Sequence, residues 1–338
     1  MQIDPGSVAR SLAFRQLDRR MLASFDTSIP LTFPLRIAFT GAPAGTDAIM
    51  RVETPWLGGA ATEELFAAVR ATGTESDVRL FRCGGLLIGF AQEPFVASEL
   101  AARTQSLYQR ILGVTRDRHL YRVWNYVPEI NAHPNGLENY RAFCQGRSLA
   151  FEATLGGEFQ PQLPAASTVG CHGANLKMIF VAGEAEPVHF ENPEQVPAYL
   201  YPVEHGPRPP SFARATVARD GGQTWTFISG TSAIKGHETV APGALDAQLD
   251  CTLDNLKLMS RKAGLGNDLG ADQVSHRQFK VYLREARDYA AVRSRLERSL
   301  FRSRDVITYL HAEICRAALN IEIEATVRTT SRESSNLG

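Results

Sequence analysis

Residues Asn320-Ile-Glu-Ile-Glu-Ala325 alternate polar and apolar side chains without a break. A β-strand sends successive side chains to opposite faces, so Glu322 and Glu324 share one face while Ile321, Ile323 and Ala325 occupy the other. An apolar strand face needs a cover, and the residues upstream supply one. From Ala244 to Ala263, Leu245, Leu249, Leu253, Leu256 and Met259 recur every three or four residues, which predicts an amphipathic helix stopped by Gly264. Before it, Gln223–Ala233 reads as a strand rich in aromatic and β-branched residues. After it, Gln278–Leu283 reads as a strand, Arg287–Phe301 as a second helix, and Val306–Arg316 and Asn320–Val327 as two last strands.

The first half repeats that order. Val78–Ala91 is a strand region with its own glycine, and Val96, Leu100, Leu107 and Ile111 form a helical stripe ending at Gly113. Leu120–Val127 is a strand, Leu137–Leu149 is helical in pattern, and Ala166–Gly183 holds a strand pair. Gly89 matches Gly230, and Cys171 before Ile179 matches Cys315 before Glu322. The expectation is an α+β protein of two units, each a mixed sheet with helices packed on one face. Seven prolines between Pro187 and Pro210 exclude a helix or a central strand from Glu184 to Pro210. That connector carries Tyr199, Tyr201, His205 and Arg208, more polar recognition groups than a spacer needs, so a spacer and a pocket wall both stand. We therefore divide the chain into 1–210, a degenerate first unit with its connector, and 211–338.

Composition narrows the function classes. A chain of 338 residues with 44% hydrophobic and 21% charged side chains can build a globular core. Thirty-six basic and 36 acidic residues leave no net field to favour nucleic acid or an anionic membrane. All but five of those cations are Arg, whose planar fork grips carboxylates at two points, although genome composition produces the same bias. The five cysteines are widely spaced without a CxxC pair, and no apolar run approaches the roughly 20 residues of a membrane span. Residues 1–20 lack the charged and apolar regions of a signal peptide, so the cytoplasm is the expected compartment.

There is no GxSxG elbow, GxxxxGK[ST] loop or HExxH pair, and the eight histidines are scattered without ligand spacing, so neither metal nor cofactor is expected. Gly264-Leu-Gly266 before Gly270 follows a helix, which makes it a helix terminus rather than a dinucleotide loop. Two carboxylates on one strand face are, in an arbitrary protein, most often solvated. Here the matching place in the first unit is apolar Ile179, so one copy alone carries a carboxylate and the duplicated fold would hold a single working site.

The run from Trp225 to Val327 resembles the Rid (YjgF-like) fold through Thr226-Phe-Ile-Ser-Gly-Thr231, Leu253-Asp-Asn-Leu256 before Lys262-Ala-Gly264, and Asn320-Ile-Glu-Ile-Glu-Ala325. In that fold the first Glu of the last strand faces the active cleft, which maps to Glu322. The Arg that binds a carboxylate from the preceding strand has no match, and Tyr309 falls near its place. A closer resemblance covers nearly the whole chain. Arg122-Val-Trp-Asn-Tyr-Val-Pro-Glu-Ile-Asn131, Tyr140-Arg-Ala-Phe-Cys-Gln-Gly-Arg147, Pro197-Ala-Tyr-Leu-Tyr-Pro202, Pro207-Arg-Pro-Pro-Ser-Phe-Ala-Arg214, Phe227-Ile-Ser-Gly-Thr231 and Ile314-Cys-Arg316 resemble the chorismatases. That family has a Rid-like fold, needs no cofactor and releases the enolpyruvyl group of chorismate as pyruvate.

Chorismate carries two carboxylates and an acid-labile enol ether, so its site needs cationic forks and one proton donor. The resemblance implies Glu322 as that donor, which must be protonated at neutral pH; desolvation and a neighbouring carboxylate both favour this. Arg141, Arg147, Arg208, Arg214 and Arg316 are the candidates to bind substrate, with Tyr201, Ser229, Gly230, Thr231 and Ser232 as neutral groups. Any one of these Arg could equally be a solvated surface residue. By resemblance, Cys315 marks the type that forms 3-hydroxybenzoate, with 4-hydroxybenzoate as a further product; as chemistry alone it could be a small buried hydrophobe. Ser232 stands where the resemblance predicts Gly or Ala. Hydrolysis of chorismate to a dihydroxycyclohexadiene carboxylate, and an imine deaminase or small-ligand binding protein of the Rid type, are the alternatives. The expected partner is the small-molecule substrate, with neither nucleic acid nor membrane, in a monomer or a homotrimer.

Overall fold

A computed structural model describes residues 32–42, 50–134, 136–271 and 275–330; residues 1–20, read above for a leader, lie outside them. The chain forms β1 (Phe33–Thr40), β2 (Met50–Gly59), β3 (Thr62–Glu75), β4 (Val78–Cys83) and β5 (Leu86–Pro94), then α1 (Leu100–Val114), β6 (His119–Pro128), α2 (Asn139–Leu155), β7 (Ala165–Cys171) and β8 (Asn175–Gly183). After β9 (Val188–Phe190) come β10 (Ala215–Asp220), β11 (Gln223–Thr231), a small hairpin of β12 (Ile234–Lys235) and β13 (Glu238–Thr239), and α3 (Leu245–Lys262). The last elements are β14 (Ser275–Leu283), α4 (Tyr289–Ser299), β15 (Val306–His311) and β16 (Ile321–Thr330).

Fourteen strands make one mixed sheet in the order β7-β6-β8-β5-β4-β3-β1-β2-β15-β14-β16-β11-β10-β9. The repeat is visible in the pairing: β6 runs parallel to β7 and antiparallel to β8, as β14 runs parallel to β15 and antiparallel to β16. Helices cover one face of each half. Leu100, Leu107 and Ile111 of α1 and Phe143 and Phe151 of α2 bury against Val123, Met178 and Phe180. Leu249, Leu256 and Met259 of α3 and Val292 and Leu296 of α4 bury against Phe279, Val281, Ile321 and Ile323, as the helical stripe predicts.

The uncovered faces of the two halves meet each other. Trp124, Tyr126 and Ile179 join Trp225, Phe227, Tyr282 and Leu310 in one buried cluster, with the Trp124 and Phe227 rings edge to face at 6.5 Å. The face of β16 that carries Glu322 and Glu324 points into this interior rather than into solvent.

Three departures from the sequence reading have physical causes. Val78–Ala91 is a hairpin rather than one strand, turned at Gly84 with φ +58°. The sequence reading assigns no element between 32 and 77, yet β1, β2 and β3 lie there and bridge the halves. The stretch Thr62-Glu-Glu-Leu-Phe-Ala-Ala-Val-Arg70 is rich in helix formers and is strand only because β1 and β4 flank it on both sides. The expected strand Val306–Arg316 ends at His311, so Cys315 stands in the turn before β16, where Ile314 bridges to Val169 of β7.

Candidate active site

Glu322 sits opposite Tyr282 of β14 and is 3% exposed. Its Oε1 has no hydrogen-bond partner among the described residues. Space for the carboxyl is made by Gly230. The pairing of β11 with β16 shifts register between Ile228 and Thr231, and a Cβ on Gly230 would lie 2.0 Å from that oxygen. The Gly230 N–H donates to Ser167 Oγ at 2.9 Å, so β7 of the first half fixes the bulge of the second.

Two residues along, Glu324 has the opposite environment. It accepts from Trp124 Nε1 at 2.7 Å and Arg122 Nη2 at 2.8 Å, and Lys280 Nζ stands 2.9 Å away. Lys280 also donates to Glu63 at 2.8 Å, which gives a buried row of alternating charge: Glu63, Lys280, Glu324, Arg122. Arg122 donates in turn to Ser167. Burial by itself would raise the Glu324 carboxyl, but Lys280 and Arg122 overcome it and hold the group below 4.5 and ionised. For Glu322 burial is the largest effect and the charge of Glu324 adds to it. Arg122, Arg214 and Ser232 pull the other way without winning, and the carboxyl is pushed up to about 8. Two carboxyls on one strand face thus hold different protonation states, the paired one charged and the unpaired one neutral at pH 7.

Glu322 opens onto a cavity of about 380 Å³, within the range of about 300–1,000 Å³ typical of small-molecule sites. Tyr140, Arg141, Tyr201, Phe212, Arg214 and Arg316 line it, together with Gly230, Ser232 and Cys315. Arg214 is 7% exposed; its Nη2 donates to Tyr201 Oη at 2.8 Å, its guanidinium lies 4.9 Å from the Phe212 ring, and its Nε is unpartnered. Arg316 lies 5.3 Å from the Tyr201 ring and donates to the His237 carbonyl at 2.7 Å. Neither forms an ion pair with a described carboxylate, so their charge is directed at whatever fills the cavity. Arg141 stands 3.4 Å from Glu138. Burial first, and Glu322 second, push the Cys315 thiol up to about 12, which keeps it neutral.

Of the residues singled out in the sequence, the cavity brings together Glu322, Cys315, Arg141, Tyr201, Arg214, Gly230, Ser232 and Arg316. Others lie outside its lining. Arg147 is buried in α2 with its guanidinium 5.1 Å from the Phe143 ring, and Arg208 pairs with Glu152 at 2.9 Å. The Ser229 hydroxyl donates to Ala213 O and accepts from Ala166 N, and that of Thr231 donates to Ser229 O, so both hold backbone. Tyr309 packs on the helix side, against Tyr289 and Phe301. The connector does form a wall, through Tyr201, His205 and Pro210. Sequence reasoning passed over Tyr140 and Phe212, although both stand inside the quoted runs beside Arg141 and Arg214. It also missed Lys280 and Glu63 and gave Arg122, the first residue of a quoted run, no role, because the links Arg122–Glu324 and Lys280–Glu63 join residues some two hundred positions apart. The histidines lack ligand spacing in sequence, yet the fold brings His205 and His237, 32 residues apart, to 3.0 Å. A second cavity, of about 480 Å³ and lined by His189, Glu191 and Tyr199, does not reach Glu322.

Residues 64–182 match the family profile "Chorismatase FkbO/Hyg5-like, N-terminal". A 3-hydroxybenzoate synthase from Streptomyces hygroscopicus is 39% identical over 217 residues, 62% of this chain and 63% of that relative's length. A chorismatase from Streptomyces rapamycinicus is 36% identical over 272 residues, 76% of this chain and 79% of the relative. The crystal structure of a chorismatase superposes with a TM-score of 0.75 at 32% identity, covering 90% of this chain and 96% of that one. On identity carried along more than three quarters of a chorismatase's length, the chain belongs to the chorismatase family.

Proposed function

We propose that this chain converts chorismate to 3-hydroxybenzoate and pyruvate, with Glu322 as the proton donor. The observation that carries the reading is a protonated carboxyl with a free oxygen, opening onto a cavity whose buried Arg214 and half-buried Arg316 form no ion pair with a carboxylate among the described residues. A dianionic substrate supplies the missing partners. Glu322 gives its proton to the methylene carbon of the enolpyruvyl ether, and the positive charge forms on the adjacent ether carbon. The Glu322 carboxylate left behind is stabilised by Arg122 and Arg214, the same cations that oppose its raised proton affinity. A ring hydroxyl then adds to the cationic carbon and passes its proton back to Glu322. The bond from that oxygen to its ring carbon and the bond from the ether oxygen to the pyruvyl carbon break, so pyruvate departs with the hydroxyl oxygen. Transfer of the ring C–H proton to the ether oxygen left on the ring makes the product aromatic. The atoms of chorismate are thereby divided between two products, and Glu322 is reprotonated.

Capture by water instead adds one water and gives the dihydroxycyclohexadiene carboxylate. Cys315, a neutral thiol on the cavity wall, favours the first route by keeping that side of the cavity weakly polar. The name borne by the Streptomyces hygroscopicus relative points the same way. We read residues 1–210 as a unit that lost its acid: Ile179 and Val181 of β8 face the interior where β16 carries carboxylates.

The experiment is incubation with chorismate, with pyruvate followed through lactate dehydrogenase and ring products separated by chromatography. Pyruvate together with an aromatic acid is expected. Pyruvate with a non-aromatic diol would move the product assignment to the hydrolytic route, and no pyruvate at all would leave an imine deaminase or a binding protein.

A further inference from the structure

Two short segments meet at the rim of the cavity, and each brings one histidine and one glutamate. Glu204 and His205 come from the turn Val203–His205 of the connector. His237 and Glu238 come from the β12–β13 hairpin. His205 Nε2 and His237 Nδ1 face each other at 3.0 Å. From His237 Nδ1, Glu204 Oε1 is 3.6 Å away and Glu238 Oε1 3.1 Å, and Glu204 Oε1 is 3.9 Å from His205 Nε2. All four ligand atoms lie within 4.8 Å of one another.

Those separations suit a tetrahedral centre. Metal–ligand bonds of about 2.0–2.1 Å set tetrahedral edges of roughly 3.3 Å, and the four distances given fall around that value. The charge balances as well, because two neutral imidazoles and two carboxylates offset a divalent ion. Neither glutamate has a lysine or arginine within ion-pair distance among the described residues. The second coordination layer is present too: Arg316 donates to the His237 carbonyl and to Thr239 Oγ1, which fixes the hairpin, and the Tyr201 ring lies 5.1 Å from that of His205.

We propose that Glu204, His205, His237 and Glu238 bind one divalent transition-metal ion of the zinc class at the rim of the cavity, clasping the connector turn to the β12–β13 hairpin. The ion is structural: it stands on the solvent side of Arg316 and Tyr201, and what it changes is the freedom of two segments that form the cavity wall. This inference rests on the rim residues alone and stands apart from the reaction assigned to Glu322.

The test uses the full chain stripped with a chelator and titrated with Co²⁺, then with Zn²⁺ in competition. One equivalent of Co²⁺ should bind and give the intense visible bands of a tetrahedral complex, and Zn²⁺ should bleach them. His237→Ala should lose the bands, and Glu238→Gln should weaken binding at least about tenfold. Circular dichroism on both variants separates ligand loss from unfolding. Absence of tetrahedral bands in the parent chain overturns the proposal, and so does uptake that is unchanged in both folded variants, since the ion would then sit elsewhere.

Discussion

A methyl group placed on Gly230 would stand 2.0 Å from Glu322 Oε1, closer than any side-chain carbon approaches an oxygen. The backbone of β11 therefore acts as the floor on which the carboxyl rests. Gly230→Ala must swing the carboxyl away from the cavity. A displacement of about 1 Å costs about a hundredfold in turnover. We expect that loss in pyruvate release with an unchanged circular dichroism spectrum; near-parental turnover would mean that the carboxyl position does not matter.

Glu322→Gln keeps the shape and removes the proton. Pyruvate release should fall by at least about a hundredfold. In the parent, activity that needs the protonated acid should decline as pH rises through about 8. Stability follows the same proton. The folded chain binds it more tightly than the unfolded chain does, where the group has its ordinary value of 4.5, so the contribution is full below 4.5 and is lost as pH rises through about 8. Glu322→Gln has no such proton to lose. Its melting temperature relative to the parent should rise between about pH 4.5 and about pH 8, and a flat difference would contradict a buried neutral acid.

Glu324 is the second largest influence raising the Glu322 carboxyl, after burial. Glu324→Gln removes that like charge and leaves Arg122 without its carboxylate partner, while Lys280 keeps Glu63, and both changes favour the ionised form of Glu322. The alkaline limb of the pH–rate profile should move to lower pH, while Glu322→Gln has no limb to move. Breaking the buried pair should also cost about 3–5 kcal/mol in urea denaturation. A limb that stays in place would show that the two carboxyls do not interact.

Cys315 has a thiol pushed up to about 12, so it is a poor nucleophile at neutral pH. Alkylation of this cysteine by iodoacetamide should be slow, and Cys315→Ala should retain pyruvate release. What should change is the product ratio, with aromatic acid declining relative to the non-aromatic diol. An unaltered ratio would strip the thiol of any part in product choice.

The sequence by itself determined local elements such as β16 and α3 and singled out Glu322 on the face of the last strand. Alternation in Asn320–Ala325 and the leucine stripe of α3 are short-range patterns, written in the spacing of residues a few positions apart, and both appear in the structure as read. The aromatic and arginine runs of the connector and its neighbours likewise named most of the cavity wall. What only the tertiary structure decided was the environment of the two glutamates. On one strand face they are equivalent by sequence, and they differ because Arg122 and Trp124, some two hundred residues away, reach Glu324 and not Glu322. The same holds for β3, whose helix-forming residues become strand under the pull of two neighbours, and for Arg147, whose position in α2 turns a candidate fork into a core cation. Charge pairing and burial depend on distances in space, and a linear pattern carries no record of which distant groups close those distances.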